Sequence, residues 1–248
     1  MRIGADDLRA IERLHVRAWP ALETADVQGW LWRRSGGGSN RANSVSTVRF
    51  TGSDVEAALD EIEARYRAHN APARISVYDL SEPAGLTERL SARGYRNDET
   101  TLTMMKPIEA REIPADVDVS GRPGDDWREV YLAAITENRR VINAQILKSI
   151  PRPCAFVVCR RDGRVISTGL GVAAGGFAAI ECMATRAEAR RQGGAQAILG
   201  AIEAWAACQN VHTLALQAVA ANAPAIALYR GFGFDAVATN RFWVKDWT

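Results

Sequence analysis

Residues 181–195 read ECMATRAEARRQGGA, and they carry the strongest structural signal in the 248-residue chain. The pattern predicts the end of a strand, a short polar loop, and a helix that begins at the Gly193-Gly194 pair. The first turn of a helix has free backbone N–H groups and a partial positive charge. Because glycine has no Cβ atom, a bulky anion can approach this backbone closely. We therefore predict an anion cradle suited to a pyrophosphate.

Two other phosphate loops do not match this stretch. A dinucleotide-binding GxGxxG opens the first helix of a βαβ unit, with an acidic residue about 20 residues later. Here the glycines follow an antiparallel run of strands and come late in the chain. The Gly-Lys-Ser/Thr of a P-loop does not occur in the sequence. A nucleotide-binding site of either kind is not predicted.

Short strands and helices alternate along both halves of the chain. In the second half, apolar periodicity predicts helices at 125–135, 139–148, after Gly194 and at 222–232. It predicts strands there at 154–159, 165–174, 177–185 and 214–219, and a last one ending at Val244. In the first half it predicts helices at 6–22, from Ser53 and at 82–93, and strands at 27–33, 45–50, 74–78 and 95–105. The proline-rich stretch 107–123 is interpreted as a linker.

The two halves share an order of elements and several residues at a nearly constant offset. Ile62-Glu63 matches Ile202-Glu203, and Asn70 matches Asn210, at an offset of 140 residues. Gly94-Tyr95 matches Gly233-Phe234, and Lys106 matches Lys245, at an offset of 139. We predict two tandem mixed α/β domains, residues 1–108 and residues 115–248.

The second half resembles the GCN5-related N-acetyltransferase (GNAT) superfamily. Its pyrophosphate loop, (Arg/Gln)-x-x-Gly-x-(Gly/Ala), is similar to Arg190-x-x-Gly193-x-Ala195, and a second motif is similar to Asn222-x-x-Ala-x-x-Leu-Tyr229 followed by Gly-Phe-Gly-Phe at 231–234. The resemblance implies an α/β (α+β) fold with a mixed, mostly antiparallel sheet flanked by helices. It also implies acetyl-CoA as the acyl donor and no metal.

The resemblance assigns roles to individual residues. The backbone of Met183, Ala184 and Thr185 would hold the pantetheine arm and the thioester carbonyl. Asn222 would cap its helix and bond the cofactor arm, and Tyr229 would protonate the departing thiolate; its alternative is a packing residue. The phosphate cradle would comprise Arg190, Arg191, Gln192, Gly193, Gly194 and Ala195, although Arg190 also fits a solvated residue at a helix start.

Glu181 is the candidate general base, because an amine must lose a proton before it attacks a thioester. Two residues before Met183 on one strand, it is expected on the same face as Met183. A structural salt bridge is the alternative for Glu181, and Glu188 is the second candidate for the base.

The first half departs from the family pattern. Its segment 49–54 lacks the Arg-x-x-Gly-x-Gly/Ala loop, and Asp54 would repel a phosphate. We predict that this half binds no CoA, packs on the second half and shapes the acceptor side. The polar loop 36–43 would reach over the site or form a flexible hairpin tip.

Composition excludes several classes of function. The net charge is +2 with no basic run, so no nucleic-acid partner is predicted. The four cysteines form no CxxC pair and the three histidines are far apart, which predicts free thiols and no metal site. The N-terminus has no apolar signal region, and the longest apolar run, 170–180, is too short to span a bilayer. We expect a reduced cytoplasmic setting, no membrane partner, and a monomer or homodimer.

The sequence therefore predicts an acetyl-CoA-dependent N-acetyltransferase that acts on a primary amine by direct attack on the thioester. A longer acyl chain remains an alternative, because Ala173, Ala174 and Gly175 are small. A CoA-binding sensor without turnover is a second alternative. The acceptor stays open between a small-molecule amine, an antibiotic, a peptide N-terminus and a protein lysine.

Overall fold

The computed structural model describes residues 3–247. Its helices are α1 (Ala5–Ala18), α2 (Val55–Ala68), α3 (Leu86–Ala92), α4 (Asp125–Ala133), α5 (Glu137–Ile146), α6 (Gly194–Ala207) and α7 (Ala223–Gly231). Its strands are β1 (Glu23–Val27), β2 (Trp30–Arg34), β3 (Val45–Ser46), β4 (Ala73–Tyr78), β5 (Arg96–Pro107), β6 (Val117–Ser120), β7 (Cys154–Arg161), β8 (Arg164–Ala174), β9 (Phe177–Thr185), β10 (Thr213–Val219) and β11 (Asp235–Lys245). None of these helices is both long enough and apolar enough to cross a membrane.

All the strands of residues 3–247 join one sheet in the order β1-β2-β3-β4-β11-β5-β10-β9-β8-β7-β6. Neighbours are antiparallel except for the pairs β3/β4 and β9/β10. The last strand of each half lies inside the other half: β5 pairs with β10 and β11, and β11 pairs with β4 and β5. The mixed, mostly antiparallel sheet flanked by helices is the predicted fold.

The residues of the sequence repeat hold this exchange of strands in place. The Lys106 Nζ atom at the end of β5 lies 2.5 Å from the carboxylate of Glu203 on α6. In the matching position, the Lys245 Nζ atom at the end of β11 lies 3.0 Å from the carboxylate of Glu63 on α2. Each repeated lysine therefore pairs with the repeated glutamate of the other half, and the paired carboxylates are buried.

The helices form two layers, and the site lies between them. In the second half, α6 and α7 pack on one face of the sheet, which we call the donor face, around Ile198, Ile202 and Phe234. The other face, the acceptor face, carries α4 and also α1, whose Ile11 and Trp19 pack with Trp127. Since α1 belongs to the first half, the first half contributes to the wall over β9 and β10.

Four local predictions differ from the structure. The helix predicted to reach residue 22 ends at Ala18, and residues 23–34 form a β1-β2 hairpin. Its turn, Gln28-Gly29, has positive φ at both residues, which suits a two-residue hairpin but uses an uncommon first residue. The strand predicted at 45–50 has two residues, and the predicted linker contains β6, where Val117 faces the core. Helix α2 is capped by Asp54 and not, as predicted, by Ser53.

Candidate active site

Two parallel strands separate at the centre of the second half. Strands β9 and β10 pair from Phe177/Thr213 to Ile180/Leu216, and no further pairs join them. At this point β9 carries a bulge, since Leu170 pairs with Glu181 and Thr168 with Ala184. Cys182, inside the bulge, has a φ of 54°. A non-glycine residue in this conformation is strained, and such residues concentrate at functional sites.

The bulge corrects one prediction about Glu181 and Met183. They lie on opposite faces, because the extra residue breaks the two-residue alternation of the strand. Glu181 points to the acceptor face, where its carboxylate meets His15 of α1. Met183 packs on the donor face with the cluster that contains Ile198.

A cavity of about 250 Å³ fills the gap between the separated strands. Tyr229 of α7 and Asn222, which caps α7, border it from the donor face, and Glu181 lines it from β9. From the acceptor face it is lined by Trp19, Ser39, Arg41, Tyr131, Ile135, Arg139 and Asn143. The predicted acid and base therefore line one cavity, together with side chains of the first half.

Glu181 is buried and has a partner on each oxygen. Its Oε1 atom lies 3.2 Å from His15 Nδ1, and its Oε2 atom accepts a hydrogen bond of 2.5 Å from Arg41 Nη1. Burial alone would raise the pKa of this carboxyl, but the charge of Arg41 and the contact with His15 outweigh it and lower the pKa. Glu181 is therefore ionised at neutral pH, and its assignment as the base remains a prediction.

Tyr229 is nine-tenths buried and faces the same cavity. Desolvation by burial, with a smaller contribution from the charge of Glu181, raises the pKa of its phenol to about 12. The phenol therefore keeps its proton at neutral pH. Asn222 caps α7 as predicted, because its side chain accepts a hydrogen bond of 3.2 Å from the Ala225 N–H group.

The loop before α6 has the backbone of an anion cradle. Arg191 and Gly193 have φ angles of 65° and 80°, and Arg190, Arg191, Gln192 and Gly193 are exposed. In the described chain, no side chain caps the first turn of α6, where Ala195 lies. A Cβ atom at Gly193 would meet nothing within 4 Å, whereas one at Gly194 would collide with Ser167 Oγ. Gly193 thus borders the open space, and Gly194 lets α6 approach β8.

The backbone that is expected to hold the pantetheine arm is open on one side. Ala184 and Thr185 pair with Thr168 and Ser167 of β8, but β10 has already diverged from them. Their unpaired edge, together with that of Met183, faces the gap between the strands. An amide-rich chain can bond such an edge as an added strand would.

No local sequence pattern marks His15 or Arg41, which are 166 and 140 residues from Glu181. The only signal was the polar loop 36–43, and the structure shows that it reaches the site. Two glycines of this loop pack closely on α5. A Cβ atom at Gly37 would lie 3.3 Å from Ile142, and one at Gly38 would lie 2.8 Å from Asn143 Oδ1. No group of three potential metal ligands exists within residues 3–247, and Cys154, Cys159, Cys182 and Cys208 are free thiols.

Known proteins are similar to this chain along nearly its whole length. A family model described as "Probable histone acetyltransferase Rv0428c C-terminal" matches residues 5–243. The uncharacterized N-acetyltransferase YobR of Bacillus subtilis (strain 168) is 24% identical over 254 residues, which cover 97% of this chain and 99% of YobR.

Two solved structures share the fold along nearly the whole chain. A GCN5-related N-acetyltransferase from Kribbella flavida has a TM-score of 0.71 at 16% identity, covering 97% of this chain and 96% of its own. A tandem GNAT protein from the clavulanic acid biosynthesis pathway has a TM-score of 0.62 at 12% identity, covering 98% and 97%. The chain therefore belongs to the family of the probable histone acetyltransferase Rv0428c C-terminal region, and it is an acetyltransferase of the GNAT type.

Proposed function

We propose that the protein transfers an acetyl group from acetyl-CoA to a primary amine. One observation carries the proposal: the gap between β9 and β10 joins a buried carboxylate, a protonated phenol and an unpaired strand edge in one cavity. The exposed Gly193 loop at the start of α6 lies on the donor face, so it suits the pyrophosphate of the acyl donor. The acceptor would enter from the opposite face, beneath α1 and α5.

In the proposed reaction, the amine nitrogen attacks the thioester carbon, so that a C–N bond forms and the C–S bond breaks. The departing thiolate takes a proton from the Tyr229 hydroxyl group. Before the attack, the ammonium form of the acceptor gives one proton to Glu181, which passes it to solvent. After the attack, the amine nitrogen loses a second proton, and its transfer to the Tyr229 phenolate completes the cycle. Each oxygen of Glu181 has one protein partner, and a carboxylate oxygen has two lone pairs, so acceptor capacity remains.

His15 and Arg41 would orient Glu181 in this scheme. Together they fix both oxygens of the carboxylate and keep it ionised. Since both residues come from the first half, this half would complete the site without binding a donor of its own. Its segment 49–54 leads into α2, but there the Asp54 carboxylate caps the helix, so that this N-terminus is not open to an anion as that of α6 is.

The proposal is tested with the full chain, acetyl-CoA and a panel of primary amines. We expect free thiol to be released in step with acetylated amine, the former measured with a thiol reagent and the latter by mass spectrometry. Binding of acetyl-CoA without thiol release with any amine would identify a sensor instead. Faster use of a longer acyl-CoA on the same amines would identify a different acyl donor.

A further inference from the structure

The wall of the active-site cavity on the acceptor face contains an arginine that has no partner. Arg139 of α5 lines the cavity, and its Nε atom is buried without a hydrogen-bond partner. In the part of the chain that the structure describes, no carboxylate pairs with this guanidinium. A buried donor that stays unpaired costs free energy, which a ligand group that accepts its hydrogen bond would recover.

The charges around the cavity leave Arg139 as a net positive site. The charged side chains that line the cavity are Arg41, Arg139 and Glu181. Arg41 and Glu181 are paired at 2.5 Å and offset each other. Glu12 does not line this cavity; it lines a separate small one, where its carboxylate accepts hydrogen bonds from Thr103 and Gln217. The field in the cavity therefore favours an anion.

A neighbouring side chain on α5 makes this wall polar and rigid. Asn143 lies one helical turn after Arg139, so that both project from the same side of α5. Its Nδ2 atom donates a hydrogen bond of 2.8 Å to the Tyr131 hydroxyl group, while its Oδ1 atom is buried without a partner. The wall thus offers one cationic donor and one neutral acceptor.

Arg139 lies on the acceptor side of the cavity and away from the donor loop. Helix α5 packs on the acceptor face with α1 and α4, whereas Gly193 and α7 lie on the donor face. The cavity measures about 250 Å³, below the roughly 300–1,000 Å³ of pockets that hold drug-sized ligands. An occupant that reaches both Arg139 and Glu181 must therefore be small.

From these observations, and on the basis of the function proposed above, we infer that the acceptor is a small primary amine that also carries an anionic group, and that Arg139 binds this group. A planar guanidinium bonds a carboxylate or a phosphate with two parallel hydrogen bonds. A lysine within a basic peptide does not match this site, because it would bring further positive charge to Arg139.

The test compares amines that differ only in their anionic group. The full chain is assayed for thiol release with acetyl-CoA and ω-amino carboxylates from glycine to 6-aminohexanoate, the corresponding amino phosphonates, alkylamines of equal length, and a lysine-containing basic peptide. We expect kcat/KM for the best anionic amine to exceed that of its matched alkylamine by about tenfold or more, the size of one hydrogen bond to a charged group. The carboxylate and phosphonate series identify which anion fits.

Two variants of α5 make the test specific. In Arg139→Gln the ratio of kcat/KM between anionic and matched neutral amine should fall to about one, whereas Arg140→Gln, on the exposed side of the same helix, should preserve it. Equal rates for both amine types in the unmodified protein, or best activity on the basic peptide, would overturn the inference but leave the acetyltransferase proposal standing.

Calorimetry separates the two proposals if no amine is acetylated. Titration of the ω-amino carboxylates into the CoA-saturated protein should show binding that Arg139→Gln weakens about tenfold. No binding of any anionic amine would overturn the inference, and so would a loss of acetyl-CoA affinity in Arg139→Gln, since that would place Arg139 at the donor.

Discussion

Glu181 combines deep burial with two partners from a distant part of the chain. It lies beside the strained Cys182 in the β9 bulge, where the backbone turns the carboxylate toward α1. Arg41 and His15 stabilise the charged form of Glu181, whereas burial stabilises the neutral form of the Tyr229 phenol across the cavity. The pKa values of the two groups are thus pushed in opposite directions by their surroundings, which is the pattern of an acid and base pair.

Removal of the Tyr229 hydroxyl group should slow the chemical step. In Tyr229→Phe we expect turnover to fall by about 10²- to 10⁴-fold, the usual contribution of a general acid, while acetyl-CoA affinity stays near normal. Steady-state kinetics and calorimetric titration of acetyl-CoA measure the two effects. Full turnover in Tyr229→Phe would mean that the ring serves only to pack on Phe234.

Arg41→Gln should change how the protein responds to acid. Arg41 lowers the pKa of Glu181, so its loss raises that pKa and moves the acid limb of kcat/KM to higher pH. The ionised carboxylate stabilises the fold above its unfolded pKa, and this stability is lost as pH falls through the folded pKa. Removing one partner of a buried pair costs about 3–5 kcal/mol of unfolding free energy.

The matched control for Arg41→Gln is Arg65→Gln, which breaks an exposed ion pair with Glu61. Such pairs contribute about 0–1 kcal/mol, so the pH profile and the urea transition should barely move. An acid limb that stays in place in Arg41→Gln would show that Glu181 does not control the rate.

The residue-level prediction from sequence named one residue on each face of the site but missed the partners that the first half supplies. Glu181 and Tyr229 could be named because a strand end and a helix motif mark them locally. His15 and Arg41 could not, since only the exchange of strands brings α1 and the loop 36–43 over β9. No sequence pattern reported the bulge at Cys182, so the side of the strand that Glu181 faces was predicted wrongly.

The start of α6 is the element on which the proposed donor binding depends. Gly193 has left-handed φ and open space before it, whereas Gly194 contacts β8. The sequence predicts a cradle at both glycines but cannot distinguish them, because the contact of Gly194 with Ser167 depends on the sheet. For the same reason β1 and β6 were not predicted, because these short segments become strands only through pairing with β2 and β7.

Gly193→Asp and Gly193→Asn form a matched pair that isolates charge. Both side chains have nearly the same shape and both tolerate left-handed φ, but only aspartate adds a negative charge where the pyrophosphate is expected. We expect acetyl-CoA affinity in Gly193→Asp to be at least about tenfold weaker than in Gly193→Asn, the effect of about 1.4 kcal/mol. Calorimetry that gives equal affinities would place the phosphates elsewhere.

At the scale of the whole molecule, the sequence repeat and the sheet describe the same symmetry. The matched Asn70 and Asn210 have φ angles of 51° and 57° just after α2 and α6. The matched lysines cross between the halves to the matched glutamates. The repeat could be predicted from sequence, but the exchange could not, because a strand's own residues do not specify which half supplies its neighbour.

The exchange of strands determines what each half can do alone. Strand β11 pairs with β4 and β5, both from the first half, so a fragment of residues 115–248 leaves β11 without any partner and exposes one edge of β10. Unpaired strand edges promote aggregation. The fragment also lacks His15 and Arg41, so we expect it to be poorly soluble and inactive. A longer fragment, residues 94–248, restores β5 between β10 and β11 and should be more soluble, though still inactive.

The number of acetyl-CoA molecules bound per chain tests whether the second half alone holds a donor site. Because Asp54 caps α2, the first-half counterpart of α6, whereas no side chain caps α6, the full chain should bind one acetyl-CoA, measured by calorimetric titration. Two molecules bound per chain would show that the first half also holds a donor. Full activity of residues 115–248 on the true acceptor would show that neither β5 nor the Arg41 loop is needed, and would contradict the shared site argued from Glu181 and its partners.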